Sequence, residues 1–192
     1  MAVTDGPRAR GQSASTRERV VDVALSSFAA RGFEATSLDD VAAELGVTKQ
    51  TVLYYHPSKD ALLGAVIERG VAELAAVLRE AARRGVERGE PLEEVVDALF
   101  RIGARRPELL ELVREALRLG PPASTRLIGE LSPLVDELAG GVPHEVIYTA
   151  AAMVVGMATE VDVLRGLGVE PTRGALRRRR RVLLDYLTDA LG

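Results

Sequence analysis

The sequence contains no cysteine and no tryptophan. Without cysteine there is no disulfide, no thiolate nucleophile and no cysteine-ligated metal. Histidine is nearly absent as well. His56 and His144 lie far apart in the chain, which argues against a histidine-rich metal site. Aromatic residues make up only 4% of the 192, so stacking on a flat polycyclic ligand is limited. No segment reaches the roughly 18 uninterrupted apolar residues that span a bilayer. The opening MAVTDGPRARGQSAS lacks the apolar centre of a secretory leader, which points to a cytoplasmic protein with no membrane partner. No stretch alternates with a period of two, so strands are not expected. No Ser-His-Asp set, metal-ligand spacing or phosphate-binding glycine loop occurs. An enzyme is therefore not expected, and no cofactor is implied.

What is present is a chain that is 47% hydrophobic and 28% charged, enough for a small domain joined to a larger one. The net charge is −3, which does not favour a polyanionic partner. Through Lys59 there are five arginines and two lysines against seven acids, so the first third is balanced. Charge placement carries more than the total. Lys49 and Lys59 are the only lysines, and from Leu45 to Lys59 there is no acid. Arg8, Arg10, Arg17 and Arg19 lie in or near the N-terminal arm.

The punctuation is that of an all-α protein. Residues 1–14, rich in small and polar residues, read as a disordered arm. A helix follows from Ser15 or Thr16, with Val20, Ala24 and Phe28 recurring at every fourth position, Val21 and Leu25 beside them, and Gly32 as its stop. Thr36 or Ser37 caps a second helix, whose first turn holds Asp39 and Asp40, where the dipole favours carboxylates. Gly46 ends it. Thr48 caps a third, broken at His56-Pro57 because the residue before proline leaves the helical region. Ser58 caps a long fourth helix reaching towards Gly85, with Gly70 as a weak point inside it. Further helical runs are expected over 91–104, 107–119, 124–140, 144–167 and 172–190, with Pro133 bending or splitting the third of these. The total is about nine helices.

The segment from Leu38 to Tyr55 has the pattern of a helix-turn-helix. Ala42 is small where two helices would cross. Gly46 permits a left-handed turn. Val41, Leu45, Val47 and Val52 supply a miniature core, with Tyr55 half-buried. The alternative is an ordinary helical hairpin. What favours the first reading is the exposed first turn of the third helix. Thr48 and Thr51 suit phosphate oxygens or thymine methyls, Gln50 suits adenine, and Lys49 suits guanine or phosphate.

Residues 16–63 resemble the DNA-binding domain of the tetracycline-repressor (TetR) family, through the text VVDVALSSFAARGFEATSLDDVAAELGVTKQTVLYYHPSKDALL. Phe28, Gly32, Phe33, Thr36, Ser37, Val41, Ala42, Gly46, Val47, Thr51, Tyr55, Ser58 and Lys59 fall where that family expects them. The chain departs from the pattern at Leu53, where the family usually has a tyrosine, and at His56, where it usually has phenylalanine. The resemblance implies DNA contact from Thr36, Ser37, Thr48, Lys49, Gln50, Thr51, Tyr54, Tyr55 and Lys59, and not from Leu53. The domains it implies are the arm 1–14, a DNA-binding domain 15–60, and an effector-binding and dimerisation domain 61–192.

The last two helices are the implied interface of a homodimer. Residues 146–158 (VIYTAAAMVVGMA) support that, being nearly all apolar or small and needing cover on most sides. Leu183, Leu187, Ala190 and Leu191 would join them in a four-helix bundle. The arginine run 177–181 turns through more than a full helical turn, so it reads as a solvated face rather than one patch. The family's ligand cavity, carried over, would be lined by Leu74, Leu78, Phe100, Leu117, Tyr148, Met153 and Met157, with Arg101, Arg114 and Glu115 as possible polar anchors or plain surface residues. The implied protein is a repressor that binds a pseudo-palindromic double-stranded DNA operator as a dimer and is released by a small-molecule effector. The alternative is a regulator of the same fold with no such effector, constitutive or controlled by a protein.

Overall fold

A computed structural model of the chain describes residues 8–139, 146, 148, 149, 152, 153, 156, 167, 168 and 173–191. The protein is all-α, and among the described residues there is no strand. It divides into two compact units, Met1–Arg69 and Gly70–Gly192.

The first unit holds α1 (Arg8–Arg31), α2 (Leu38–Leu45), α3 (Lys49–Tyr55) and the start of α4 (Lys59–Arg88). The four-residue spacing in α1 does what it predicts. Val20, Val21, Ala24, Leu25 and Phe28 are all buried, and Gly32 closes the helix with its N–H on the Phe28 carbonyl at 2.9 Å. Residues 8–14, read from the sequence as part of an unstructured arm, instead continue α1. Nothing in RARGQSA breaks a helix. Gly11 alone disfavours it, by about 1 kcal/mol relative to alanine. The core of the unit is completed by Phe33, Val41, Ala42, Leu45 and Val52, and by Leu62, Leu63, Val66 and Ile67 of α4. The division between units falls inside α4, whereas the sequence suggested its start.

The second unit contains the rest of α4, then α5 (Pro91–Arg105), α6 (Pro107–Leu119), α7 (Ala123–Ala139) and α8 (Arg173–Leu191). Val146, Tyr148, Thr149, Ala152, Met153 and Gly156 are helical as well. Pro91 and Pro107 begin their helices, where the missing N–H costs nothing and the fixed φ suits the first turn. Gly70 proves to be a packing position in α4. A Cβ there would stand 2.6 Å from Leu112 Cδ2, a side chain buried in α6. α7 runs through Pro133 without being split. The carbonyl that Pro133 leaves without its helical N–H belongs to Gly129, and both residues are exposed, so water can take that bond. Arg180 reaches Asp97 of α5, a partner that its own helix did not advertise.

No helix among the described residues is long and apolar enough to cross a membrane.

Candidate nucleic-acid interface

The start of α2 is built by a reciprocal cap. Ser37 Oγ accepts from the Asp40 N–H at 3.1 Å, while the Ser37 N–H donates to Asp40 Oδ2 at 2.7 Å and its hydroxyl donates to the same oxygen at 2.6 Å. This is a capping box with aspartate in the acid position. These bonds from Ser37 hold the Asp40 carboxyl below the usual carboxylate range.

The end of α2 sets the turn. Gly46 has φ +72, with its N–H on the Ala43 carbonyl at 3.1 Å, and the Val47 N–H reaches Ala42 O at 2.9 Å. The pair of bonds is a Schellman ending, which needs a residue in the left-handed region. A Cβ on Gly46 would meet nothing within 4 Å, so the cost of a side chain here is backbone strain alone. Gly46→Ala is expected to lower the unfolding free energy by about 1–2 kcal/mol, read as a shift in the urea midpoint. An unchanged midpoint would mean that the turn does not constrain this unit.

Thr48 then caps α3. Its Oγ1 accepts from the Thr51 N–H at 3.2 Å, and the two threonine hydroxyls lie 3.0 Å apart. Val52 on the inner side is fully buried. The opposite side leaves Thr48, Lys49, Gln50 and Tyr54 exposed, with Thr51 half-buried. Tyr54 is 82% exposed and stands edge-on to Tyr55, ring centroids 5.0 Å apart. Tyr55 is half-buried, as its place in the miniature core suggests.

Ser37, Thr48, Lys49, Gln50 and Thr51 thus stand at the starts of two consecutive helices, with Tyr54 and Tyr55 at the far end of α3. Thr36 does not join them, which corrects its expected place at a DNA face. It is 1% exposed, and its Oγ1 lies 2.9 Å from the Gly32 carbonyl and 3.3 Å from that of Ser27. The loop after α1 folds back over the end of that helix, and the buried hydroxyl finds its partners in the Gly32 and Ser27 carbonyls.

Both lysines are engaged within the protein. Lys49 Nζ lies 2.7 Å from Asp39 Oδ2 of α2. Lys59 Nζ donates to the Glu34 carbonyl at 3.2 Å and sits 4.3 Å above the centre of the Phe33 ring, a geometry that a ring quadrupole favours. Lys59 therefore pins the α1–α2 loop to the start of α4. The acid-free stretch of sequence is not acid-free in space, because Asp39 of the preceding helix returns to it. Sequence spacing carries no sign of that pairing across ten residues.

His56 follows α3 with an extended backbone, its N–H on the Val52 carbonyl at 2.9 Å. It is 3% exposed, and its Nε2 is buried without a hydrogen-bond partner. Burial, and then the charge of Arg17, pushes the imidazole below its ordinary value. The sequence marked His56 only as the break after the third helix and as a departure from the family's phenylalanine.

The residues carried over to a ligand cavity differ in burial. Leu74 and Leu78 are buried on α4, and Phe100 and Met153 are half-buried. Leu117 is 49% exposed and Tyr148 56% exposed, which corrects their expected place in an interior lining. The buried face of α6 is instead Leu109, Leu110, Leu112, Val113 and Ala116, with Leu117 rotated away from it. Met157 lies outside the described residues. Glu115 is the reverse case. It is buried, held by Arg118 Nε and Nη2 at 2.7 and 2.8 Å, whereas a surface place was the simpler reading of its sequence.

A family model described as "Bacterial regulatory proteins, tetR family" matches residues 20–66, the stretch from the buried face of α1 into α4. The HTH-type transcriptional regulator RutR of Escherichia coli is 31% identical over 135 residues, which cover 70% of this chain and 63% of RutR. The HTH-type transcriptional repressor KstR of Mycobacterium tuberculosis is 26% identical over 143 residues, covering 72% of this chain and 65% of KstR. The chain thus spans less than two thirds of the length of each of these relatives. The crystal structure of a TetR family transcription regulator from Marinobacter aquaeolei superposes with a TM-score of 0.70 at 23% identity, over 93% of this chain and 97% of that one, a likeness of fold. With the two capped helices and the turn glycine in place, residues 20–66 match the model of the tetR family of bacterial regulatory proteins, and the chain shares the fold of a TetR family structure.

Proposed function

We propose that the protein is a DNA-binding transcriptional regulator, a repressor, that acts in the cytoplasm as a homodimer on a pseudo-palindromic operator. The observation that carries this reading is the exposed first turn of α3. Thr48, Lys49, Gln50 and Thr51 put hydroxyls, an amide and one cation at the end of a short helix anchored from behind by Val52. An N-terminal turn of this kind is what a recognition helix offers to base edges in the major groove. Tyr54, with its ring in solvent, suits a phosphate contact, with Tyr55 beside it, and Ser37 would contribute from the start of α2. Thr36 is left to the core.

Two copies would place two such helices in successive major grooves. The dimer would form through residues 144–167 together with α8. On α8, Leu183 and Leu187 are already buried within the chain, so among its described residues Val182 and Ala190 are the apolar side chains it leaves exposed to a partner. A small molecule bound in the second unit would shift α4 and release DNA, by favouring a state of lower operator affinity. The names of RutR and KstR support regulation, and that of KstR repression.

The test is direct. A cognate duplex is selected from random-sequence DNA by the wild-type protein. Lys49→Ala and Tyr54→Ala are then expected each to weaken binding to it by about 1–3 kcal/mol. If both variants bind like wild type, the DNA face lies elsewhere. Sedimentation of the free protein checks the dimer. The release step is sunk if small molecules leave the affinity for that duplex unaltered.

A further inference from the structure

The exposed ion pair beside the recognition turn has no structural task that accounts for it. Asp39 and Asp40 both stand in the first turn of α2. Asp40 closes the capping box with Ser37, so the cap does not need Asp39. The Asp39 carboxylate instead turns to Lys49, with Oδ2 2.7 Å from Nζ. Both side chains remain open to solvent, Asp39 at 65% and Lys49 at 48%. Pairs so exposed contribute little to folding. Their placement matters more. Lys49 is the only cation of α3, and a carboxylate stands against it on the surface assigned to DNA.

We propose that Asp39 determines specificity. It holds the Lys49 ammonium back from the phosphate backbone, so that its remaining N–H donors are offered to a base edge. This rests on the DNA-binding reading above. Without Asp39, a flexible lysine on this turn would take the nearest phosphate on any sequence, because that attraction is independent of the bases. With it, Lys49 gains little from a random duplex. Separation from Asp39 must precede each phosphate contact, and the carboxylate itself repels the backbone. At the right base pair Lys49 keeps Asp39 and adds a hydrogen bond to a purine acceptor. The pair therefore lowers sequence-independent affinity more than affinity for the recognised site. It does for a protein of net charge −3 what a more basic surface could not.

The test uses the full chain and two duplexes of equal length. One is selected by the wild-type protein from random-sequence DNA, and the other is a scrambled sequence of the same composition. Asp39→Asn keeps the shape and removes the charge. It is expected to bind the scrambled duplex about three- to tenfold more tightly and to steepen its log K against log salt slope by about 0.9, the value of one added phosphate contact. The ratio of selected to scrambled affinity is expected to fall at least threefold. In a Lys49→Ala background, Asp39→Asn is expected to leave that ratio unmoved. Equal tightening on both duplexes, or the same change of ratio without Lys49, overturns the proposal and reduces Asp39 to a general negative charge. A wild-type protein that selects no duplex at all overturns the DNA reading, and this proposal with it. Thermal melting of Asp39→Asn, expected to match wild type, confirms that the cap is intact.

Discussion

Phe28→Ala is expected to remove about 3–5 kcal/mol from the stability of the N-terminal unit, enough to leave it largely unfolded. The residue lies on the buried stripe of α1, is 1% exposed, and meets Phe33 edge to face with centroids 5.3 Å apart. Truncation empties the space of a whole ring in a unit whose core, apart from Phe33, is built mainly from valine, leucine, isoleucine and alanine, and Phe33 is itself held in place by Lys59. The loss spreads beyond the cavity. Phe33 is the ring under Lys59 Nζ, so its displacement also loosens the link from the α1–α2 loop to α4. A small helical unit has total stability of the same order as this loss. Urea unfolding followed by tyrosine fluorescence is the measurement, because the chain has no tryptophan and Tyr54 and Tyr55 report on this unit. Tyr54→Ala is the control. Its side chain is in solvent, so its stability is expected to stay within about 0.5 kcal/mol of wild type while DNA binding weakens. If Phe28→Ala unfolds at the wild-type urea concentration, the ring is not the centre of this core.

What the sequence revealed about this unit, and what it hid, divide along one physical line. Features set by neighbours in the chain were legible. The four-residue spacing of Val20, Ala24 and Phe28 is a property of the α-helix itself. Gly46 and Thr48 announce the turn because a left-handed residue and a side-chain acceptor are needed at those offsets whatever surrounds them. Features set by how helices cross were not. Thr36 looked like a surface threonine, and its burial follows only from the loop doubling back onto Ser27 and Gly32. Lys49 and Asp39 meet because the angle between α2 and α3 brings their first turns together. Glu115 is buried because α6 turns that side inward, its charge matched by Arg118. Leu117, an apolar residue, faces outward from the same helix. The fold class and the helix-turn-helix were therefore readable in advance, and the charge arrangement on the turn was not.

His56 should make the same unit sensitive to mild acid. Its Nε2 is enclosed without an acceptor for a second N–H, and Arg17 adds a like charge to the cost of burial. The folded protein therefore binds a proton here less readily than the unfolded chain, whose histidine titrates near 6.5. Below that pH the unfolded state carries more protons than the native one, so stability falls as pH falls. The loss starts near 6.5, continues down to the depressed native value and levels off beneath it. One proton limits the slope to about 1.4 kcal/mol per pH unit. Asp40 contributes in a separate window. Its carboxyl is held below the ordinary 3.8 by Ser37, so its stabilisation is present above that value and is lost only as pH falls further. Urea midpoints measured from about pH 8 to about pH 5 therefore isolate the histidine. His56→Phe, which replaces the unsatisfied nitrogen with carbon, is expected to flatten that profile and to raise stability by about 1 kcal/mol at neutral pH. His56 closes the C-terminal end of α3, so its protonation should reach the recognition helix first. In hydrogen exchange at about pH 5.5, the α3 amides are expected to open before those of α1. A His56→Phe protein with the wild-type acid profile would assign the effect to His144 or to the carboxylates.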